Sequence, residues 1–489
     1  MNFSYSKMAL ACALALSANL VWAEGETAAS APAAVLESGE AVRYAAAETE
    51  RLPENTPAAG NTAEAAAPAA NPNLSAVGRA LNNNGITPHL IAAYSYFTNP
   101  SSGIDTHKNE QIGMIIAGAD IDLQKAGLIK GGRIHFSQMW APYTKGLDYG
   151  NNVGSVLAGN PPPYIPRVSH LTRFTYEQRL LDDKLSIELG KSNPGNFYGK
   201  SLCAYEFACV NPVLQKVAHF SATPYAGWGV RTAYQITPQL EASGGWWRTY
   251  QAFPFTNGWE KGWDNDRFYQ DEGNVYIAGV NYKSDRSKSA YPLEVESFLM
   301  HTDHKFPHPY YGRAQMERGM TGIHLGARKV VWRKDGGNLA DPSPTTLSVY
   351  GSLSHMFNQT VYTGLKTYAN AGILWQAPLA SRPGDTLGLN FSTAHISRDG
   401  QRYMAERYLG SDGWQPKRNE FQVSLDATVP LNRSVIFQLS AARTWNGTNW
   451  MLQQGQMHTD RPKNGLSVSA GITILLDQMM GLVDRTPPQ

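Results

Sequence analysis

The sequence is poor in charge, and it contains no long apolar run and no dense run of basic residues. Only 17% of its 489 residues are charged, whereas soluble domains usually carry about a quarter. No apolar stretch approaches the ~18 residues that a spanning helix needs, which excludes a polytopic helical membrane protein. Lys and Arg are scattered, so nothing indicates a nucleic-acid partner. Hydrophobic residues nevertheless make up 42% of the chain, which excludes wholesale disorder.

Aromatic residues and glycine are abundant instead. Phe, Trp and Tyr together reach 11% of the chain, and there are 45 glycines. This composition indicates a large β-rich protein. The candidates are a secreted sandwich, a propeller or a barrel in a membrane.

Residues 1–23 predict a secretory signal peptide. Lys7 gives a positive start, Met8 to Leu16 forms a short apolar core, and Val21 to Ala23 resembles a cleavage site. The apolar run is too short for a membrane anchor, and Cys12 comes too early in it to favour lipoprotein processing. We therefore expect export, with a mature chain that begins at Glu24.

Residues 24–73 differ in composition from the rest of the chain. They are rich in Ala, Pro and Glu, with eight Glu and a single aromatic residue, Tyr44. Such a segment cannot bury enough apolar surface to order itself, so it predicts a periplasmic linker. A transient helix or a partner-binding segment between Ala34 and Leu52 is the alternative.

Cys203 and Cys209 are the two cysteines of the mature chain. In an oxidising compartment this spacing predicts a disulfide that closes a small loop. A zinc-binding pair is the weaker alternative, because no second Cys/His pair lies nearby at ligand spacing.

From residue 88 onward, short alternating segments predict about sixteen β-strands. Phe421 to Ala427 and Leu466 to Ile474 alternate strictly between apolar and polar residues. Most segments are ten to fourteen residues long, which suits membrane barrels better than globular sheets. Tight turns such as 181–183 alternate with long connections such as 193–224. The pattern predicts an all-β, antiparallel transmembrane barrel of about 16 strands over 74–476, followed by a tail at 477–489.

In a water-filled barrel the polar positions of each strand face the lumen. Alternation predicts lumen-lining roles for Arg133, His135, Glu188, Arg231 and Gln235. Sugars stack their C–H faces on aromatic rings and bind Arg and carboxylate groups through their hydroxyls, so the list of candidates also includes Glu241 and Trp247. Trp247 and Trp259 could equally anchor the barrel at the membrane interface.

Four stretches resemble the carbohydrate-selective outer-membrane porins of the OprB type. They are Leu171 to Phe197, Pro224 to Arg231 (PYAGWGVR), Ala371 to Ser397 and the last strand, GLSVSAGITILL. The stretches occur in the same order as in that family, and together the resemblance covers about residues 74–476. The resemblance implies a sixteen-stranded barrel that passes monosaccharides such as glucose by diffusion, narrowed by charged wall residues and inward-folded loops. It also implies that Arg133, Lys191 and Arg231 are basic channel residues. The tail departs from the usual aromatic C-terminus of such barrels.

Catalytic and metal-binding signatures are missing or incomplete. There is no G-x-S-x-G and no H-E-x-x-H. His301, Asp303, His304 and His308 are better explained as solvated loop residues than as metal ligands. Asp264, Asp266, Asp271 and Glu272 lack the glycine and terminal glutamate of a calcium loop, which favours a solvated external loop. We expect no enzyme activity, no cofactor and no bound metal.

The sequence therefore predicts a passive sugar porin of the bacterial outer membrane. Its expected partners are small-molecule sugars and outer-membrane lipid, as a monomer or a homotrimer. The alternatives are a general or anion-preferring porin, a barrel enzyme of the outer membrane, and a secreted glycan-binding β-protein.

Overall fold

The computed structural model describes most of the chain from residue 73 onward. The described ranges are 73–146, 149–157, 167–199, 211–220, 226–249, 258–259, 273–285, 288–379, 381–448 and 459–484. The predicted signal peptide, almost all of the predicted linker, both cysteines and the Asp264–Glu272 loop lie outside these ranges. Those predictions stay untested.

Sixteen strands form one closed antiparallel barrel in which each strand pairs with its neighbours in sequence and β1 pairs with β16. The strands are β1 Ile86–Thr98, β2 Asn109–Asp122, β3 Gly132–Lys145, β4 Ser169–Leu180, β5 Leu185–Ser192, β6 Gly227–Thr237, β7 Leu240–Thr249, β8 Gly273–Lys283, β9 Leu293–His308, β10 Gly312–Arg333, β11 Thr346–Met356, β12 Leu365–Gln376, β13 Thr386–Ile396, β14 Asn419–Pro430, β15 Val435–Trp445 and β16 Gly465–Leu475. The predicted sixteen-stranded barrel is confirmed.

Alternation separates an apolar outer face from a polar inner face. In β16, Leu466 is 40% exposed on the outside, while Ser467 and Thr473 point inward and are almost fully buried. The five longest connections all follow odd-numbered strands, although the odd-numbered β9 is joined to β10 by a tight turn. By the usual rule for such barrels the long connections lie at the extracellular end.

β9 and β10 are longer than the predicted segments at 291–301 and 321–332. Residues 302–320 form the upper part of a hairpin instead of a loop. Their alternation continues, with Thr302, His304, Phe306 and His308 all facing inward and buried. The prediction of solvated loop histidines at His304 and His308 is therefore wrong.

Five helices accompany the barrel in the described residues: α1 Ala76–Asn83, α2 Tyr149–Val153, α3 Pro212–Lys216, α4 Arg398–Arg407 and α5 Leu476–Met479. No helix among them is both long and apolar enough to span a bilayer. α3 lies in the β5–β6 connection and packs inside the barrel against β11 and β12. There Asn211 donates from Nδ2 to Ser354 Oγ at 2.8 Å.

An apolar cluster holds this connection inside the upper part of the barrel. From the connection it includes Tyr198, Val213, Leu214, Val217 and Phe220, and from the wall it includes Trp247, Ile277, Phe298, Met356, Tyr368 and Ile396. Burial of such side chains stabilises the docked connection by roughly 1.5–3 kcal/mol each. The β5–β6 connection therefore narrows the lumen at its extracellular half.

The two ends of the described chain meet beneath the barrel. Ser75 and Gly481 form a backbone hydrogen bond of 2.9 Å, and Asn73 Nδ2 donates to Asp484 at 3.0 Å. Asp477 is fully buried and accepts from the Leu90 backbone N–H at 3.0 Å. The first residues of the tail are thus packed against β1 and α1.

Candidate solute pathway

The inner wall of the barrel has a charged sector and a neutral sector. Strands β2–β10 carry many charged or titratable inward residues, among them Glu110, Asp120, Asp122, Arg133, His135, Arg173, Glu177, Arg179, Glu188, Arg231, Glu241, Lys283, Glu294, Glu296, Arg328 and Arg333. The inward residues of strands β11–β16 are mostly hydroxyl and amide side chains. The two carboxylates among them, Glu420 and Asp426, are both on β14. A solute in the lumen therefore passes between charged and neutral walls.

Arg173 and Glu188 form a buried ion pair in the charged sector. Arg173 donates from Nε to Glu188 Oε1 at 3.1 Å, and Thr175 donates to the same oxygen at 2.6 Å. Both charged side chains are over 90% buried. Glu188 was predicted from alternation, whereas Arg173 was not. The same signal was available for it, because Arg173 alternates in phase with Thr175 and Glu177.

Arg231 and Glu241 form the neighbouring pair on β6 and β7. Arg231 donates from Nη2 to Glu241 Oε1 at 2.7 Å, and both side chains remain partly accessible, at 12% and 20%. The Arg231 guanidinium lies 5.0 Å from the ring centre of Phe197, and that of Arg173 lies 5.8 Å from it. Phe197 belongs to the inward-folded β5–β6 connection, so it brings a ring to both ion pairs.

His135 lies in a separate network toward the periplasmic side. Its Nδ1 is 2.7 Å from Asp120 Oδ1, and its Nε2 is 3.2 Å from Glu177 Oε2. His89 is 3.0 Å from the other Asp120 oxygen. His135 faces inward as predicted, but it is fully buried by its partners. Its role is therefore to hold β1–β4 together.

Arg133 and Gln235 also face inward near the periplasmic end. Arg133 is 3.9 Å from Asp122 and keeps 27% of its side chain accessible. Gln235 donates from Nε2 to the Thr237 carbonyl at 2.6 Å. Both lie where alternation placed them, and their contact with a solute stays a prediction.

Lys191 does not line the lumen. It pairs with Phe174 and Trp228, and Phe174 is 48% exposed on the outer face. Its ammonium group lies 5.9 Å from the Trp228 ring centre and donates to the Gly258 carbonyl. The prediction from family resemblance is corrected here, because Glu188 and Lys191 differ in parity along an unbroken strand register and so point to opposite faces.

Trp247 faces inward but is completely buried. It stacks on Phe197 at 5.9 Å, contacts Tyr198 edge-on at 6.0 Å, and donates from Nε1 to Ser192 Oγ at 3.0 Å. Neither a solute nor lipid reaches its ring, so both predicted roles are corrected. Trp247 positions Phe197 instead.

Trp259 is 55% exposed and packs on the outside of the barrel wall. Its ring lies 6.3 Å from Phe136 and 6.5 Å from Phe174, and its Nε1 donates to Gln138 at 3.3 Å. This position suits the interfacial interpretation of Trp259.

Within the described residues no group of three or more His, Cys, Asp or Glu is arranged to hold a metal ion. His301 and Asp303 point outward while His304 and His308 point inward, so these four side chains cannot converge.

An apolar outer face, a polar inner wall and an inward-folded loop define an outer-membrane porin. The family model for the carbohydrate-selective porins, OprB family, matches residues 106–438. The chain belongs to this family of carbohydrate-selective porins of the bacterial outer membrane. Its fold and family are those of a channel.

A solved structure supports the fold. The chain is similar to the high-pH structure of Pseudomonas putida OprB, at 15% identity and TM-score 0.62, covering 81% of this chain and 95% of that one. The low-pH structure of the same protein gives 11% identity, TM-score 0.47 and coverages of 81% and 94%. The DcaP channel of Acinetobacter baumannii gives 6% identity, TM-score 0.44 and coverages of 80% and 96%. No curated protein sequence gives a significant match.

Proposed function

We propose that the channel passes neutral, glucose-like monosaccharides by passive diffusion through a constriction at Arg231, Glu241 and Phe197. The observation that carries this proposal is the position of Phe197 beside an arginine–carboxylate pair that remains partly accessible. An aromatic ring offers a surface to the C–H face of a sugar, and the charged pair offers donors and acceptors to its hydroxyls.

The pairing of charges favours neutral solutes over anions. Arg231 is balanced by Glu241 and Arg173 by Glu188, so the constriction has little net charge. We infer a constriction of balanced charge in place of the basic one expected from the sequence. An anion-preferring porin would need arginines without such partners.

The neutral sector supplies weak and replaceable contacts across the lumen. Ser352, which is only half-buried, donates from its hydroxyl to the amide oxygen of Asn370. Hydroxyl and amide groups of this kind can exchange partners with a sugar. Weak binding at several places lets a solute enter and leave again.

Single-channel conductance in a planar bilayer, titrated with glucose, tests the proposal. We expect discrete conductance steps that glucose partly blocks. In R231Q the glucose concentration that gives half of this block should rise at least about threefold. K329Q is the control, because Lys329 is exposed on the outer face of β10 and its loss leaves the lumen unchanged. Conductance that is indifferent to glucose would contradict sugar selectivity.

We also propose that the protein performs no chemistry on its solute. The charged groups at the constriction are bonded to each other, so none is poised as a nucleophile with a neighbouring base. Recovery of labelled glucose unchanged after uptake into proteoliposomes is expected.

The mass of the detergent-solubilised protein tests the remaining prediction of a monomer or homotrimer.

A further inference from the structure

One sector of the outer wall ends in a row of polar side chains that are register partners on neighbouring strands. Across β11–β14 the strand register pairs His355 with Thr367, Thr367 with His395, and His395 with Asn419. All four residues share the outward parity of exposed apolar residues further down the strands, namely Leu353, Ile373, Leu389, Phe391 and Leu425. The row therefore lies above the lipid-facing band, at the end with the long connections.

Two cations, Arg418 and Lys366, lie beside this row, and a third, Arg443, lies lower on the wall, level with Phe391 instead of His395. Arg418 donates from Nη2 to His395 Nε2 at 2.9 Å and from Nε to the Ile396 carbonyl at 2.9 Å. Lys366 precedes Thr367 directly, at the register shift between Leu365 and Thr367. Arg443 is exposed on the outer face of β15, with its guanidinium 5.5 Å from the Trp445 ring centre. We call this set of seven residues, His355, Lys366, Thr367, His395, Arg418, Asn419 and Arg443, the outer basic row.

The outward positions of β11–β15, all of which the structure describes, carry no Asp or Glu. The inner wall differs, since each constriction arginine there has a carboxylate partner. Arg443 lies level with Phe391 across β14, where it borders the apolar band. An arginine at this depth is costly unless it reaches an anion at the lipid interface.

The shape of the outer basic row indicates what that anion belongs to. Four neighbouring strands at about 4.8 Å spacing make the row about 14 Å wide. That width suits a phosphorylated sugar headgroup with several acyl chains better than the single phosphate of one phospholipid. Thr367 and Asn419 contact His355 and His395 across the strands and add neutral polar groups to the row. The Phe391–Phe421 ring pair, 6.1 Å apart, offers apolar surface below them.

We propose that the outer basic row binds the phosphorylated glycolipid of the outer leaflet, with Lys366, Arg418 and Arg443 contacting its phosphates. Arginine pairs with phosphate in a bidentate manner, and lysine adds a point charge. The acyl chains of the glycolipid lie on the apolar band beneath. This site is on the outside of the barrel and is independent of the sugar pathway.

Binding of purified diphosphoryl lipid A to the refolded full-length protein tests the proposal. Native mass spectrometry from detergent measures the bound fraction at increasing lipid A. We expect at least tenfold weaker binding for the triple variant K366Q/R418Q/R443Q and about threefold weaker binding for R443Q alone. K329Q, an outward lysine at the opposite end of β10, is the matched control and should bind as the unmodified protein does.

Two further arms keep the result interpretable. Heat-modifiable mobility on gels shows whether each variant is folded, and the charge-preserving variant R443K should retain most of the binding. Dephosphorylated lipid A should bind at least tenfold more weakly. The proposal is overturned if folded K366Q/R418Q/R443Q binds lipid A normally, or if phosphatidylglycerol binds as tightly as lipid A.

Discussion

Glu420 and Leu157, 263 positions apart in the chain, are joined by a hydrogen bond of 2.7 Å from the Leu157 backbone N–H to Glu420 Oε1. The same carboxylate accepts from the Val156 N–H at 3.1 Å, and from both the N–H and the hydroxyl of Thr448 at 2.8 Å. Glu420 is completely buried at the extracellular end of β14. One side chain therefore anchors the β3–β4 and β15–β16 connections to the wall.

Replacing Glu420 should release both connections. E420A leaves several buried donors without an acceptor, and each such loss costs roughly 1–3 kcal/mol. We expect limited proteolysis to cut residues near 150–157 and 448 at least tenfold faster in E420A. D341N, an exposed change at the opposite end of the barrel, should be cut at the rate of the unmodified protein. Equal rates for E420A and D341N would show that other contacts hold these connections.

Arg231 and Glu241 should set ion selectivity in opposite directions. R231Q leaves the negative charge of Glu241 unbalanced, which favours cations, whereas E241Q leaves Arg231 unbalanced, which favours anions. Zero-current potentials under a KCl gradient should therefore shift with opposite signs in the two variants. K329Q should not shift. Shifts of the same sign would contradict a shared constriction.

The β5–β6 connection should loosen in acid because of His219. This ring is stacked on His304 at 4.0 Å and on Tyr362 at 5.3 Å. Burial, and then the neighbouring His304, hold the pKa of His219 well below its usual value of about 6.5. The docked connection therefore binds the proton less readily than the released one. The contribution of neutral His219 to the stability of the docked connection is fully present above about pH 6.5. This contribution is lost as the pH falls from there toward the lowered pKa.

Channel noise should report this loosening. We expect conductance flicker to rise between pH 6 and pH 4 in the unmodified protein. His219→Phe keeps an aromatic ring without a titrating group, so its flicker should depend much less on pH. A pH response in H219F equal to that of the unmodified protein would assign the effect to another group.

Asp477 should matter for barrel closure although it follows the last strand. Its Oδ2 caps the Leu90 N–H in β1, and its Oδ1 accepts from the Gln478 N–H at 2.7 Å. D477A removes the acceptor of the partly buried Leu90 amide, at a cost of about 1 kcal/mol. We expect the variant to lose its compact gel mobility at a lower temperature. D341N serves as the control, and an unchanged transition temperature for D477A would argue against this capping role.

Period-two alternation predicted the barrel and most of its inner face, because a strand has only two faces. Ser467, Ser469 and Thr473 point inward as alternation requires. The same rule could have corrected Lys191, since it lies three residues after Glu188 in one strand. For Lys191 the family resemblance predicts the lumen-facing side, whereas its parity relative to Glu188 places it on the outer face.

Contacts made by the loops could not be predicted in this way. Alternation describes a strand by itself, whereas Trp247 is buried by Phe197 and Tyr198 from a folded-in connection. His304 and His308 were mistaken for solvated residues because the flanking prolines suggested a turn. Segments distant in sequence lie against them: His219 stacks on His304, and Asp399 of α4 is 3.8 Å from His308.

The meeting of Asn73 and Asp484 beneath the barrel has a consequence for engineering the chain. Side chains of these residues are 3.0 Å apart, so a short peptide could join the two positions without crossing the lumen. New ends could then open at the tight turn after Leu180. Such a circular permutant would keep all sixteen strand pairings, but β1 and β16 would lie in the interior of the chain instead of at its ends.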